Sequence, residues 1–179
     1  MRASYLHAKT GLPNLEQFNL FELMANKSLH SIKHSYPVYL NIQCKKCLVV
    51  GGGKVAERKI DKLFDAGAHI EVISPEITPR LKELSEKKKI VHKNKKYNSN
   101  DLKDAQLVFA ATHDKKLNQK ITADAKKKKM WVSNVSSGED STFILPALLK
   151  RDDFEIAIST RGKSPRLAKQ IKERLEKIL

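Results

Sequence analysis

The stretch KCLVVGGGKVAERK, residues 46–59, runs from an apolar segment through three consecutive glycines into a charged segment with helical spacing. Either the glycines are a plain strand-to-helix turn, or they form the loop of a dinucleotide cradle. The spacing Gly51-x-Gly53-x-x-Ala56 favours the cradle, because it follows a strand directly and opens a helix. Gly51 permits the tight turn, Gly53 lets the backbone approach a pyrophosphate, and Ala56 keeps helix and strand closely packed. The free N–H groups at the helix start, with the positive end of its dipole, then face the phosphates. Alone the motif is weak, so its surroundings decide.

Working outward, strand-like runs recur at KCLVV (46–50), HIEVIS (69–74), KIVH (89–92), QLVFAAT (106–112), MWVSNV (130–135) and FEIAIST (154–160). Helical periods lie between several of them. Ala56, Ile60, Leu63 and Phe64 share one face, Leu81 and Leu84 mark a second helix, and Leu117, Ile121 and Ala125 a third. Gly67 supplies a helix stop. Alternating strands and helices predict an α/β fold, a Rossmann-like parallel sheet with right-handed crossovers. A last helix opens at KSPRLAKQ, where Ser164 caps and Pro165 takes the first helical position. Residues 1–35 read differently, and their LEQFNLFELM (15–24) offers only a short amphipathic stretch. We therefore divide the chain into an extension (1–35), a dinucleotide-binding domain (36–113) and a remainder (114–179).

The second strand ends in ISPE, where an acidic residue normally accepts both ribose hydroxyls of NAD. Glu76 is the candidate, with Ser74 as a weaker hydroxyl partner. The nearest arginine that would favour NADP, Arg80, lies further on, so NAD is the expected cofactor. FAAT (109–112) brings small residues and Thr112 to the crevice. His113 follows at the carboxyl end of that strand, either as a substrate or metal contact or as part of a helix start in which Asp114 faces the dipole. One histidine does not make a metal site, and no metal is expected.

Composition narrows the classes. The formal net charge is +15, much of it from lysine runs at 86–96 and 126–129. Such a field attracts polyanions. No aromatics alternate with the lysines and no nucleic-acid-binding signature appears, so a nucleic-acid partner is not expected. No run reaches the roughly eighteen apolar residues of a membrane span, and no leader is evident, so neither a membrane partner nor secretion is expected. The expected compartment is the cytoplasm. Cys44 and Cys47 form one C-x-x-C without a second ligand pair, and Cys47 reads as a small buried apolar residue.

The motifs YPVYLNIQCKKCLVVGGGKVAERKIDKLFDAGAHIEVISPEI, VFAATHDKKLN and SNV…TFILPALLKRDDFEIAISTRGKSPRLAKQIKERLE, in that order, resemble the precorrin-2 dehydrogenase family. The resemblance runs from about Tyr36 to the carboxyl end. It implies NAD-dependent oxidation of precorrin-2 to sirohydrochlorin, in siroheme biosynthesis, by a homodimer with a dimerisation segment and a helical tail. It carries cofactor contacts over to Lys54 and Val55 after the glycines and to Pro75 and Glu76, alongside the candidates Gly51, Gly52, Gly53, Ser74 and Thr112. The candidate substrate contacts are His113, Asn134, Thr160, Lys163 and Ser164. The substrate is a tetrapyrrole with several carboxylates, which a basic protein would draw in.

Three departures from the family pattern stand out. The family reads N-V-x-D with a catalytic aspartate, whereas NVSSGED puts Ser137 at that place, in a loop one residue shorter. Serine is a poor base at neutral pH, so Ser137 and the nearby Asp140 are both catalytic candidates, with Glu139 beside them. STRGKSP carries Arg161 where the family has glycine. The tail is shorter than in members that also insert iron, so chelatase activity is not expected. The competing readings are a bifunctional dehydrogenase and ferrochelatase, a non-catalytic binder of NAD or tetrapyrrole, and a nucleic-acid binder.

Overall fold

In the computed structural model, which describes residues 35–179, the glycine loop joins β1 (Lys46–Val50) to α1 (Lys54–Asp65). The expected amphipathic stretch at 15–24, with nearly all of the extension, lies outside the described residues. The chain continues through β2 (His69–Ile73), α2 (Pro79–Glu86), β3 (Val91–Lys93), a 3-10 turn (Ser99–Leu102), β4 (Leu107–Ala110), α3 (Lys115–Lys127) and β5 (Trp131–Asn134). These strands form one parallel sheet in the order β3-β2-β1-β4-β5. That is the α/β class read from the sequence.

Period-two side chains divide the core between the two faces. Cys47, Val49, Ile70, Val72 and Phe109 pack under Ile60 and Leu63 of α1 and Leu81 and Leu84 of α2. Leu48, Val50, Ile73, Val108 and Val132 pack under Leu102 and under Ile121 and Ala125 of α3. Burial on both faces is why the central strands read as unbroken apolar runs. Glu71, inside β2, is the exception. Its buried carboxylate pairs with Lys46 at 3.3 Å and Lys93 at 2.8 Å from the two neighbouring strands.

The sheet belongs to a compact unit spanning residues 34–144, and residues 145–179 fall in a second unit. The division drawn after residue 113 falls between β4 and α3, inside the first unit. The chain continues the sheet there because β5 pairs with β4 from Leu107↔Trp131 to Ala110↔Asn134. In the second unit, β6 (Ala147–Lys150) and β7 (Glu155–Ile158) form an antiparallel hairpin followed by α4 (Pro165–Ile178). The sequence reading anticipated β7 and α4 but not β6, whose four residues follow a proline and show no period. Ser164 caps α4 by accepting the Leu167 N–H at 3.1 Å.

Burial pushes the Cys47 thiol up to about 11, whereas Cys44 is exposed. Only the thiolate is nucleophilic. Iodoacetamide at mildly alkaline pH is therefore expected to label Cys44 in the native protein and Cys47 only after denaturation. Peptide mass mapping checks this, and equal labelling of both would show that β1 is not held shut.

Helix α1 ends at Gly67, in the left-handed conformation (φ 72°) usual at this place. Helices α2 and α3 end the same way, but with Lys88 (φ 54°) and Lys129 (φ 57°). The following N–H groups still close the motif, Lys89 onto Leu84 O and Met130 onto Ala125 O. A side chain there costs about 1 kcal/mol, part of which glycine gives back through unfolded-state entropy. Lys129→Gly is expected to raise stability by roughly 0.5 kcal/mol, seen as a higher Tm; a lower Tm would show the lysine to be stabilising.

Candidate dinucleotide-binding site

Strand order reverses between β1 and β4, and open α/β sheets take ligands in the crevice at the carboxyl ends of such strands. The glycine loop fills one side of that crevice, and each glycine meets a different surrounding. Gly51 has φ 120°, and a Cβ on it would stand 2.3 Å from Ala111 O at the end of β4. At Gly52 a Cβ would stand 2.0 Å from Glu76 O, and the Gly52 carbonyl accepts the Thr78 N–H at 3.0 Å. The loop is thus wedged between the connections that follow β4 and β2. At Gly53 a Cβ would meet nothing within 4 Å among the described residues. The loop opens outward there, at the residue that caps α1 and supplies no side chain to do so.

The first turn of α1 therefore keeps its backbone donors clear of side-chain acceptors. Lys54 turns to Glu57 at 3.0 Å, and Val55 is exposed. Glu57 also accepts the Thr78 hydroxyl at 2.5 Å. That hydrogen bond first, and Lys54 second, hold its carboxyl below the ordinary range. Thr78 in turn caps α2, accepting the Leu81 N–H at 3.4 Å. In the loop before it, the Ser74 hydroxyl donates to Glu76 O at 2.6 Å, and Ser74 O meets His92 Nε2 at 2.9 Å. Ser74 shapes the turn, and the Pro75 and Glu76 side chains stand exposed beside Gly52.

The other wall is organised by Asn118, a residue the sequence reading missed. Fully buried on α3, its Oδ1 accepts the Thr112 N–H at 3.0 Å and the Thr112 hydroxyl at 2.8 Å. Its Nδ2 donates to Thr112 O at 3.0 Å and to Ser136 Oγ at 2.5 Å. One side chain so ties the end of β4 to the loop after β5. Asn118, Thr122 and Ala125 are all buried at helical spacing, so the signal was a stripe with a polar member. Asp114 caps α3, accepting the N–H groups of Lys116 at 2.8 Å and Leu117 at 3.1 Å, and His113 beside it is exposed.

The loop after β5 is bound to itself. Asn134 is buried; its Oδ1 accepts the Ser136 N–H at 2.8 Å, and its Nδ2 has no partner among the described residues. Ser141 Oγ accepts the Asn134 N–H at 2.8 Å and donates to Ser137 O at 3.2 Å. The two catalytic candidates meet through the Asp140 N–H, which donates to Ser137 Oγ at 3.4 Å. The Asp140 residue itself borders a shallow groove along α3 with Gln119, Thr122, Ala123 and Lys126.

In the second unit, the candidates Thr160, Lys163 and Ser164 share the loop between β7 and α4. Thr160 Oγ1 donates to Ser164 O and accepts the Ser164 N–H, both at 3.0 Å. Arg161 takes a left-handed conformation (φ 55°), which explains why glycine suits this position. Lys163 is exposed.

Sheet order, glycine loop and uncapped α1 define a Rossmann-type NAD(P)-binding domain. Comparison with known proteins agrees: the family profile described as "Putative NAD(P)-binding" matches residues 38–147, and one described as "Sirohaem biosynthesis protein central" matches residues 155–178. The siroheme synthase of Nitrosomonas eutropha is 40% identical over 145 residues, which cover 80% of this chain and 30% of that protein. That of Chromobacterium violaceum is 36% identical over 144 residues, covering 80% and 31%. A solved precorrin-2 dehydrogenase, SirC, superposes with a TM-score of 0.71 at 35% identity, over 80% of this chain and 70% of that one. The chain belongs to the precorrin-2 dehydrogenase family. It spans about a third of the length of the siroheme synthases it matches.

Proposed function

We propose that this chain oxidises precorrin-2 to sirohydrochlorin with NAD. The observation that carries this reading is the crevice at the β1/β4 reversal, where Gly53 leaves open space in front of the uncapped α1. When bound, NAD supplies the acceptor for the hydride that leaves the substrate. Backbone donors at Lys54 and Val55 would hold the pyrophosphate, and the Glu76 carboxylate would accept the adenosine ribose hydroxyls. The small residues at 110–111 and Thr112 would let the nicotinamide half approach the sheet edge. Much of the acceleration then comes from holding two rings in register. The lost proton passes to water: Ser137 is a weak base whose oxygen already accepts a backbone N–H. His113, Asn134, Thr160, Lys163 and Ser164 remain our substrate-side assignments. Apolar side chains left exposed on the second unit, Leu145, Phe154 and Ile178, support a homodimer.

Purified protein supplied with precorrin-2 and NAD is expected to form sirohydrochlorin, followed by absorbance. Absence of NAD-dependent turnover would overturn the proposal. NAD binding without turnover would instead support the non-catalytic binder, the reading favoured by serine at the family's aspartate position. Light scattering of the same sample tests the dimer.

A further inference from the structure

The lysine runs that read as separate features in the sequence meet on one edge of the sheet. Parallel pairing sets the first residues of the strands side by side, Lys46 opposite His69, Leu107 opposite Trp131, and Val91 opposite Glu71. The connections entering those strands bring Lys45 and Lys46, the lysines at 87–89, Lys103 and the lysines at 126–129. These ten lysines stand against Asp65, Glu71, Glu83, Glu86 and Asp104, with no arginine. Lys46 pairs with Glu71 and Lys87 with Glu83; the other eight make no ion pair among the described residues. Five strands at about 4.8 Å spacing make this a strip about 20 Å long.

The strip lies at the amino ends of the strands, whereas the dinucleotide crevice lies at their carboxyl ends. A polycarboxylate drawn to it would arrive at the wrong edge, so steering of substrate does not account for these lysines. Lys88 and Lys129 also occupy left-handed positions where glycine is the usual residue. Exposed apolar side chains sit among the charges: Trp131 (56% exposed), Phe64 (42%) and Val91 (41%).

We infer that this edge is a docking surface for an anionic lipid bilayer. Lysine ammonium groups are point charges suited to a diffuse negative surface, whereas phosphate readout on nucleic acid favours the bidentate arginine that is absent here. Tryptophan among lysines suits the headgroup region, and Phe64 and Val91 have no role on a duplex backbone. Single-stranded nucleic acid would want successive stacking aromatics, and Trp131 and Phe64 enter different parts of the strip. The sequence reading expected no membrane partner because no run can span a bilayer. Among the described residues no helix is long and apolar enough to cross one. Peripheral docking needs none.

Trp131 is the only tryptophan in the chain, so its fluorescence reports on this edge directly. Full-length protein is titrated with vesicles containing phosphatidylglycerol and, separately, with pure phosphatidylcholine. The expected result is sedimentation with the anionic vesicles only, a blue shift of Trp131 emission, and loss of both on raising NaCl from about 50 to about 500 mM. Changing the four lysines at 126–129 to glutamine is expected to weaken vesicle binding at least about tenfold. A second variant, with glutamine at 87–89, covers the case in which the first fails to fold. Both should keep NAD binding, since the crevice is at the other edge. No binding to anionic vesicles, unchanged binding by folded variants, or duplex DNA binding without vesicle binding would each overturn the inference.

Discussion

Gly52→Ala is expected to cost about 3 kcal/mol or more of stability and to abolish NAD binding. The added methyl would lie 2.0 Å from Glu76 O, 2.9 Å from Ile77 Cα and 2.7 Å from Ile77 Cγ2. Two of those atoms are backbone and cannot swing aside. The loop after β2 would have to retreat, which breaks the Thr78 N–H bond to Gly52 O and pulls the Thr78 hydroxyl off Glu57. Gly53→Ala is the control one residue away. Its methyl meets nothing within 4 Å, and φ of −85° suits any residue. That variant should keep its stability to within about 1 kcal/mol while losing at least about tenfold in NAD affinity, because the methyl enters the space assigned to the pyrophosphate. Urea unfolding and NAD titration of both variants separate the two effects. Normal NAD affinity in Gly53→Ala would remove the pyrophosphate from that place.

The two glycines also mark what a sequence can disclose. Gly51 and Gly53 were legible because their spacing after an apolar run is a property of the chain itself. The five-stranded sheet was legible because burial on both faces leaves β1, β2 and β4 almost wholly apolar, Glu71 excepted. Features that depend on which segments meet were not legible. Gly52 was read only as a cofactor contact, and its packing role appears once the β2–α2 loop lies on it. Ser137 and Asp140 were assigned by their place in a motif, yet Ser141 and the turn hydrogen bonds decide where they stand. The lysine runs at 87–89 and 126–129 are about 40 residues apart, and only the parallel topology sets them on one edge. Periodicity treats a polar residue as exposed, and that rule hid Asn118.

Asn118→Leu is the second large effect expected, about 3 to 5 kcal/mol, although leucine has the same branched four-atom side-chain shape as asparagine and helix α3 would tolerate it. The substitution removes four hydrogen bonds at once. The Thr112 hydroxyl keeps its bond to Asp114 O, but the Thr112 N–H and carbonyl are left without their side-chain partner near a buried wall. Asn118→Asp distinguishes lost hydrogen bonds from lost packing. A carboxyl preserves both acceptor contacts to Thr112 and can donate only when protonated. Burial raises the pKa of such a group above its unfolded value. Its contribution to stability is then present below the unfolded pKa and lost as pH rises through the folded one. Urea midpoints should therefore fall further below those of the parent protein at pH 8 than at pH 5. Equal deficits at both values, or a Leu variant as stable as the parent, would mean that the end of β4 is held by packing and that Asn118 does not fasten the two loops.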